Sequence, residues 1–218
     1  MKCKMKLEEV IEKSGEKLSV IVTPKRLAFI LTIVYIVSLI PLAIISIYNY
    51  PSADDFTNTY ETHLVWMQTK SVFAVFAEAF LRMCDEWMTW RGSFFASFLS
   101  ALSPNLWGEK MYVITPWIAI AALTVGTGYL FHMIFERVFK ADKYVSRSVM
   151  ILVLFVTIQC TVGGVEAFYW YSGAINYTFT HGISLLFYGL LITLVLPENK
   201  KKNGKLVMAS VLGFLLGG

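Results

Sequence analysis

Charge is scarce in this sequence. Asp, Glu, Lys and Arg make up 16% of its 218 residues, against about 25% in an ordinary soluble domain. Cysteine is scarcer still. Cys3, Cys84 and Cys160 have no metal-binding or redox spacing, which excludes a zinc finger or a CxxC oxidoreductase. Cys84 and Cys160 fall in segments that can share one side of a membrane, which leaves a disulfide open; small packing residues are the simpler reading. The chain also lacks a Walker loop, a dinucleotide fingerprint and a serine-hydrolase elbow. The common nucleotide-dependent and hydrolase classes therefore have no footing. No repeat or low-complexity segment is visible.

What is present in quantity is apolar surface. Mean hydropathy is +0.60, and 56% of residues are hydrophobic. The apolar residues come in blocks, which a soluble core does not need. A spanning helix needs roughly 20 mostly apolar residues. Runs near that length lie at about 27–48, 111–135, 148–165 and 177–196, and a fifth begins at 206 and stops at 218. Pro41 is expected to kink the first. The fifth run is too short to cross, so the sequence reads as the N-terminal portion of a larger protein. The expected fold is an all-α integral membrane bundle.

Basic residues set the expected orientation. They cluster before the first run, between the second and third at Arg137, Lys140, Lys143 and Arg147, and after the fourth at Lys200, Lys201, Lys202 and Lys205. With an even number of crossings between them, all these clusters share one side, and the positive-inside rule makes it the cytoplasm. The predicted domains are a cytoplasmic segment over residues 1–26 and a transmembrane domain over 27–218. The N-terminal segment is long and charged and has no small-residue cleavage site, unlike a signal peptide. The Lys runs read as topology signals, and no nucleic-acid partner is expected.

The outer loop, residues 49–110, is long enough to expect function. It carries Asp54, Asp55, Glu61, Glu78, Asp85, Glu86 and Glu109 against Lys70, Arg82, Arg91 and Lys110. Within it, Ser71–Arg91 places Val72, Phe76, Phe80, Met83, Trp87 and Trp90 at helical spacing, with Glu78, Arg82, Asp85 and Thr89 opposite. That is an amphipathic helix suited to lie at the outer headgroup layer, with Glu78 and Arg82 as an i,i+4 pair. Arg91–Pro104 reads as a re-entrant or interfacial helix.

"PSADDFTNTY", Pro51–Tyr60, raises the sharpest question. Ser52, Asp54 or Asp55 can cap a helix starting near Phe56. Alternatively, a carboxylate at a membrane boundary can act as a general base or hold a cation. A second polar-aromatic segment, Gly163–Tyr177, offers Glu166, Tyr169, Trp170 and Asn176 on the same outer side. As a bland alternative, its Trp and Tyr residues form an interfacial belt. Arg91 serves either as a phosphate clamp or as an ion-pair partner of Asp85 or Glu86. His63 and His181 read as packing or loop residues, and His132, near the expected cytoplasmic end of its run, falls far from the outer segments.

"SADDF", "WRGSFFASFL" and "EAFYWYSGAINYTF", in that order, resemble a family of bacterial multi-pass membrane proteins. The N-terminal half of that family is similar to the membrane-embedded glycosyltransferases of the C type. The resemblance covers about Lys25 to Leu196. It implies transfer of a sugar from a polyprenyl-phosphate donor to an envelope glycan or glycolipid at the outer face of the membrane. Asp54 or Asp55 would be the general base, with a divalent metal as a further use of the acid pair. Arg91, Glu166, Tyr169, Trp170 and Asn176 would bind substrate. Members usually have more spans and often a further C-terminal domain. Other readings are a transporter or flippase of lipid-linked sugars and a non-catalytic scaffold.

Overall fold

The computed structural model describes residues 23–196 and 202–217. Most of the expected cytoplasmic segment 1–26 and Lys200 and Lys201 lie outside these. All regular structure among the described residues is helical. Three helical stretches are long and apolar enough to cross a membrane: Pro24–Ser46, Glu109–Val138 and Tyr171–Val195.

The first stretch is two helices in series. α1 (Pro24–Ser38) starts with Pro24 at a position that needs no N–H, and Thr23 accepts a hydrogen bond from Arg26 N–H. The helix breaks at Leu39, and α2 (Ile40–Ser46) follows with Pro41 in its first turn. The break is the kink that Pro41 predicts, because proline has no N–H to continue the ladder. Phe29, Ile30, Ile36, Ile44 and Ile47 are all exposed, a surface that suits lipid.

The long segment 49–110, expected to form an outer loop, holds three helices: α3 (Asp54–Thr69), α4 (Val72–Thr89) and α5 (Phe94–Ala101). Two short 3₁₀ turns, Pro104–Trp107 and Glu109–Ile114, lead into α6 (Thr115–Phe131). The last turns of that stretch, His132–Val138, widen to π geometry. α7 (Lys143–Gln159) starts under an Asp142 cap. With 17 residues it is about 25 Å long, short of the ~30 Å hydrocarbon core. The run expected to span at 148–165 instead ends as a helix at Gln159. Two π segments, Val165–Tyr169 and Ala174–Phe179, flank one helical turn at Tyr171–Gly173 and lead into α8 (Thr180–Val195). The expected outer loop at 163–177 is thus mostly helical. Side-chain groups bond into its backbone ladder: Thr180 Oγ1 donates to the Ile175 carbonyl at 2.8 Å and Asn176 Nδ2 to the Ser172 carbonyl at 2.7 Å. Such insertions accompany π widening. α9 (Lys202–Leu216) packs on α8.

α6 and α8 make the most extensive pairing, and α1 lies along α7. Tyr35, Leu123, Ile151 and Leu154 share the core between these helices. Two cross-links fix α1: Tyr35 Oη to Thr124 Oγ1 at 3.2 Å, and Gln159 Nε2 to Ser38 Oγ at 3.1 Å. α6 and α8 approach so closely that two glycines are needed. A Cβ on Gly126 would sit 1.9 Å from the Gly182 carbonyl oxygen, and one on Gly182 would sit 2.5 Å from the Ala122 backbone. Small residues at a crossing let apolar helices pack where lipid competes for the same surface. Cys84 and Cys160 are free thiols.

Two glycine substitutions should have opposite signs. Gly182→Val forces backbone apart and should cost about 3 kcal/mol or more. Gly204→Ala on α9 meets open space and should be neutral or stabilise by up to about 1 kcal/mol. Unfolding in detergent micelles, followed by circular dichroism, checks both.

Candidate functional site

The site begins at an unusual turn. Ala53 takes φ 46°, a conformation that costs a residue with a Cβ. Around it, Ser52 and Asp55 close a reciprocal pair. The Asp55 N–H donates to the Ser52 carbonyl at 3.1 Å, and the Ser52 N–H donates to Asp55 Oδ2 at 3.3 Å. No side chain caps α3, which starts at Asp54; the expected cap at Ser52, Asp54 or Asp55 is not formed.

The two acids part company here. Asp55 is fully buried. Its Oδ1 accepts from Ser172 N–H at 3.1 Å and Ser172 Oγ at 2.8 Å. Its Oδ2 accepts from Ser52 N–H and from the Tyr112 hydroxyl in a short contact. Each donor is itself oriented: Tyr112 Oη accepts from Tyr171 N–H at 2.7 Å, and Ser172 Oγ accepts from Asn58 Nδ2 at 3.2 Å. Asn105 Nδ2 reaches Thr59 Oγ1 at 2.8 Å, and Thr62 Oγ1 donates to the Ala101 carbonyl at 2.7 Å. His63 Nδ1 lies 2.7 Å from the Leu106 carbonyl, the packing role expected of it. One carboxylate thus joins α3 to the approach to α6 and the approach to α8.

Asp54 is exposed and has no partner among the described residues. It lines a cavity of about 550 Å³ together with Asn58, Arg82, Glu86, Trp90, Arg91, Trp170, Ser172, Asn176 and Tyr177. The two polar segments that the sequence sets apart, 49–110 and 163–177, therefore meet on one cavity. Gly173 also lines it; a Cβ there would sit 2.3 Å from the Glu166 carbonyl oxygen. That close approach accounts for glycine within "YSGAINY".

Three charged residues dominate the wall formed by α4. Glu86 accepts from Arg82 Nε at 3.3 Å on one oxygen. On the other it accepts from Arg91 Nε at 3.0 Å and Nη2 at 2.8 Å. Arg91 also bonds Ser97 Oγ at 3.0 Å and stacks on Trp90, 4.8 Å from the ring centre. Two guanidiniums share one carboxylate, which leaves a positive excess and donors toward the cavity. Burial by itself pushes Glu86 up. Hydrogen bonds from Ser97 and Arg91 and the charges of Arg91 and Arg82 outweigh it and hold Glu86 below the ordinary 4.5.

α4 keeps the amphipathic pattern expected of it, with its aromatic face exposed. Val75, Ala79 and Glu86 are buried, while Phe73, Phe80, Trp87 and Met88 are exposed. Arg82 pairs forward with Glu86, and the expected Glu78–Arg82 pair is not formed. Arg82, Glu86, Asn58, Ser172 and Tyr112 join the site without a motif to mark them in the sequence. Arg82 and Glu86 do carry the i,i+4 spacing that signals such a pair.

Of the residues expected in the site, Asp54, Arg91, Trp170 and Asn176 line the cavity, and Asp55 lies sealed behind it. Glu166 is exposed and outside it. Tyr169 is buried, and its hydroxyl donates to the Leu42 carbonyl at 3.0 Å, so it ties α2 to the π segment. The Asp54–Asp55 pair does not fit a shared metal. Hydrogen-bond donors already point at both Asp55 oxygens, where a cation would have to sit. No group of three or more His, Cys, Asp or Glu able to hold a metal occurs among the described residues.

Asp55→Asn puts an amide donor against donors and should destabilise by about 2–4 kcal/mol. Asp54→Asn should stay within about 0.5 kcal/mol. Denaturant unfolding in micelles separates them. The Glu86 cluster should show in the pH profile. Its folded value is depressed, so its contribution is full above the unfolded value near 4.5 and is lost as pH falls through the folded value. The stability gap between wild type and Glu86→Gln should stay constant at neutral pH and narrow only on the acid side.

No family model matches this chain, and comparison with curated proteins and with solved structures gives no match.

Proposed function

We propose that the chain is a multi-pass membrane glycosyltransferase of the C type. It transfers a sugar from a polyprenyl-phosphate donor to an envelope glycan or glycolipid at the outer face of the membrane. In this reading α1, α6, α7 and α8 cross the bilayer. α7 is short, and Lys143 and Arg147 near its start reach the interface by extending their side chains. α3, α4 and α5 lie on the outer surface, with Phe73, Trp87 and Trp90 in the headgroup layer.

The observation that carries the reading is the chemistry gathered in the larger cavity. An unpartnered carboxylate, Asp54, shares it with the Arg82–Glu86–Arg91 cluster and three aromatic side chains. Asp54 takes the proton of the acceptor hydroxyl as that oxygen bonds to the anomeric carbon of the sugar. The bond from that carbon to the phosphate oxygen breaks, and the phosphate leaves with the electron pair. Arg82 and Arg91 stabilise the charge it carries away. Attack from the face opposite the phosphate inverts the anomeric carbon. Trp90, Trp170 and Tyr177 offer ring faces to the sugar, and Asn58 and Asn176 offer amide groups to its hydroxyls. Trp90 is 76% exposed and also lines the cavity, so it bridges the lipid-facing side of α4 and the site.

A flippase would call for ionisable groups within the spans. Leu27–Tyr48 and Thr115–Phe131 hold no Asp, Glu, Lys, Arg or His, and α7 and α8 hold only Lys143, Arg147 and His181, all near their starts.

The test is made in cells lacking the full-length protein, with envelope glycans and lipid-linked sugars profiled by mass spectrometry. Wild type should restore the missing sugar. Asp54→Asn should slow transfer at least about 100-fold, with donor lipid accumulating at equal protein level. Arg82→Ala with Arg91→Ala should do the same. Full restoration by Asp54→Asn would remove the base from the mechanism.

A further inference from the structure

A second cavity, of about 250 Å³, lies on the opposite face of α3 from the first. At about 100° per residue, Asp54 and Asn58 fall on one side of the helix and Phe56, Thr59, Tyr60 and His63 on the other. Asn105 and Glu109 complete the wall from the two 3₁₀ turns, which join at Gly108 with φ 134°. That backbone region favours glycine, so residue 108 sets the turn that brings Glu109 to this face of α3. Asn105 is 9% exposed, and its Oδ1 is buried without a hydrogen-bond partner. The amide cannot be turned round. Its Nδ2 lies 3.4 Å from the Asp55 carbonyl, which can only accept, and 2.8 Å from Thr59 Oγ1, whose own proton goes to that carbonyl at 2.7 Å. His63 is fixed in the same way. Its Nδ1 donates to the Leu106 carbonyl at 2.7 Å, which leaves Nε2 of the neutral ring as an acceptor. Glu109 is exposed and has no partner among the described residues.

The donors of Asn105 and His63 are thus turned into the protein. What remains for a ligand is three acceptors: an amide oxygen, a ring nitrogen and the Glu109 carboxylate. Phe56 and Tyr60, both more than half exposed, add two aromatic rings. A buried acceptor left unmet is costly, so the lining calls for donors. The carboxylate and the ring faces also call for positive charge. A hydroxyl group would satisfy the acceptors but leave its own oxygen without a donor from Asn105, His63 or Glu109. A primary ammonium has three N–H donors and no acceptor. We propose that this cavity binds a primary ammonium group, with Asn105 Oδ1, His63 Nε2 and a Glu109 carboxylate oxygen accepting its three hydrogen bonds and Phe56 and Tyr60 beside it. The ammonium belongs either to the headgroup of an aminophospholipid or to a soluble amine such as an amino sugar. The proposal is independent of sugar transfer in the first cavity.

The experiment uses the full-length protein in phosphatidylcholine nanodiscs. Thermal unfolding is read against ethanolamine, glucosamine, choline and glycerol. A soluble primary amine that binds raises the unfolding midpoint in proportion to its occupancy. Choline, a cation with no N–H, and glycerol, a neutral donor, should bind about tenfold more weakly or worse. Glu109→Gln, at an exposed position, should weaken the amine about tenfold, with the ligand-free midpoint unchanged. Tyr60→Leu, also exposed, reads the same direction of loss if Glu109→Gln fails to fold. Asp54→Asn should leave amine binding unchanged, which separates this cavity from the first. Nanodiscs doped with phosphatidylethanolamine distinguish the two sources. Retention of that lipid in native mass spectrometry, lost in Glu109→Gln and with no shift from soluble amines, assigns the headgroup; the reverse assigns a soluble amine. Equal binding of choline or glycerol, full binding by Glu109→Gln, or loss of binding in Asp54→Asn overturns the proposal. Silence in every amine arm overturns it too and leaves Asn105 Oδ1 to water. A shift from Zn²⁺ or Mn²⁺ alone would assign a metal and overturn the amine.

Discussion

The Asp55 carboxylate is the constraint on which the packing of α3 against the rest of the molecule depends. A buried carboxylate is tolerable only when its oxygens are satisfied. Here four donors do so, drawn from Ser52, Tyr112 and Ser172. These donors lie on three separate parts of the chain. Satisfying the carboxylate therefore fixes the position of α3 against the approaches to α6 and α8. Because Tyr112 and Ser172 are themselves held by Tyr171 and Asn58, no donor in the set is free to rotate away. The turn at Ala53 stays in its costly conformation because the Ser52–Asp55 pair on either side holds it there. Asp54 gains a fixed place at the cavity from a neighbour that never touches it.

Glu86 plays the corresponding part on the opposite wall. Two guanidiniums side by side repel, and both would turn to solvent if nothing held them. One carboxylate between them removes most of that repulsion and orients both through their Nε edges. The same carboxylate is kept ionised by the charges it organises. α4 can supply this cluster only by turning Arg82 and Glu86 inward and leaving its large aromatics outside. That exposed aromatic face suits a surface in contact with lipid.

Much of this was legible in the sequence, for identifiable reasons. Uncharged blocks such as Leu27–Tyr48 announce apolar helices, and Pro41 announces the break in the first. Length arguments were weaker: the apolar block after Ser148 continues past Gln159, where the helix stops. The convergence of Asp54, Arg91, Trp170 and Asn176 on one cavity was approached through motif order and composition. The division of labour between Asp54 and Asp55 was not legible. Adjacent residues in the first turn of a helix point about 100° apart, and nothing local tells which one meets Tyr112 and Ser172. Tyr112 was hidden for a similar reason, because it sits inside an apolar run and reads as an interfacial aromatic. On α4 the aromatic periodicity marks the exposed face, as the sequence pattern expects.

The sealed carboxylate also sets an order of events. Asp55 enters the ribosomal tunnel 57 residues before Tyr112 and 117 before Ser172. Until those partners emerge, its charge has to stay in water, at the surface. α3, α4 and α5 can form early, but their cavity cannot close until the chain has been made as far as residue 172. Completion of the pocket is thereby tied to synthesis of the segment that leads into α8, so a stalled chain presents an open, hydrated acid instead of a half-built site.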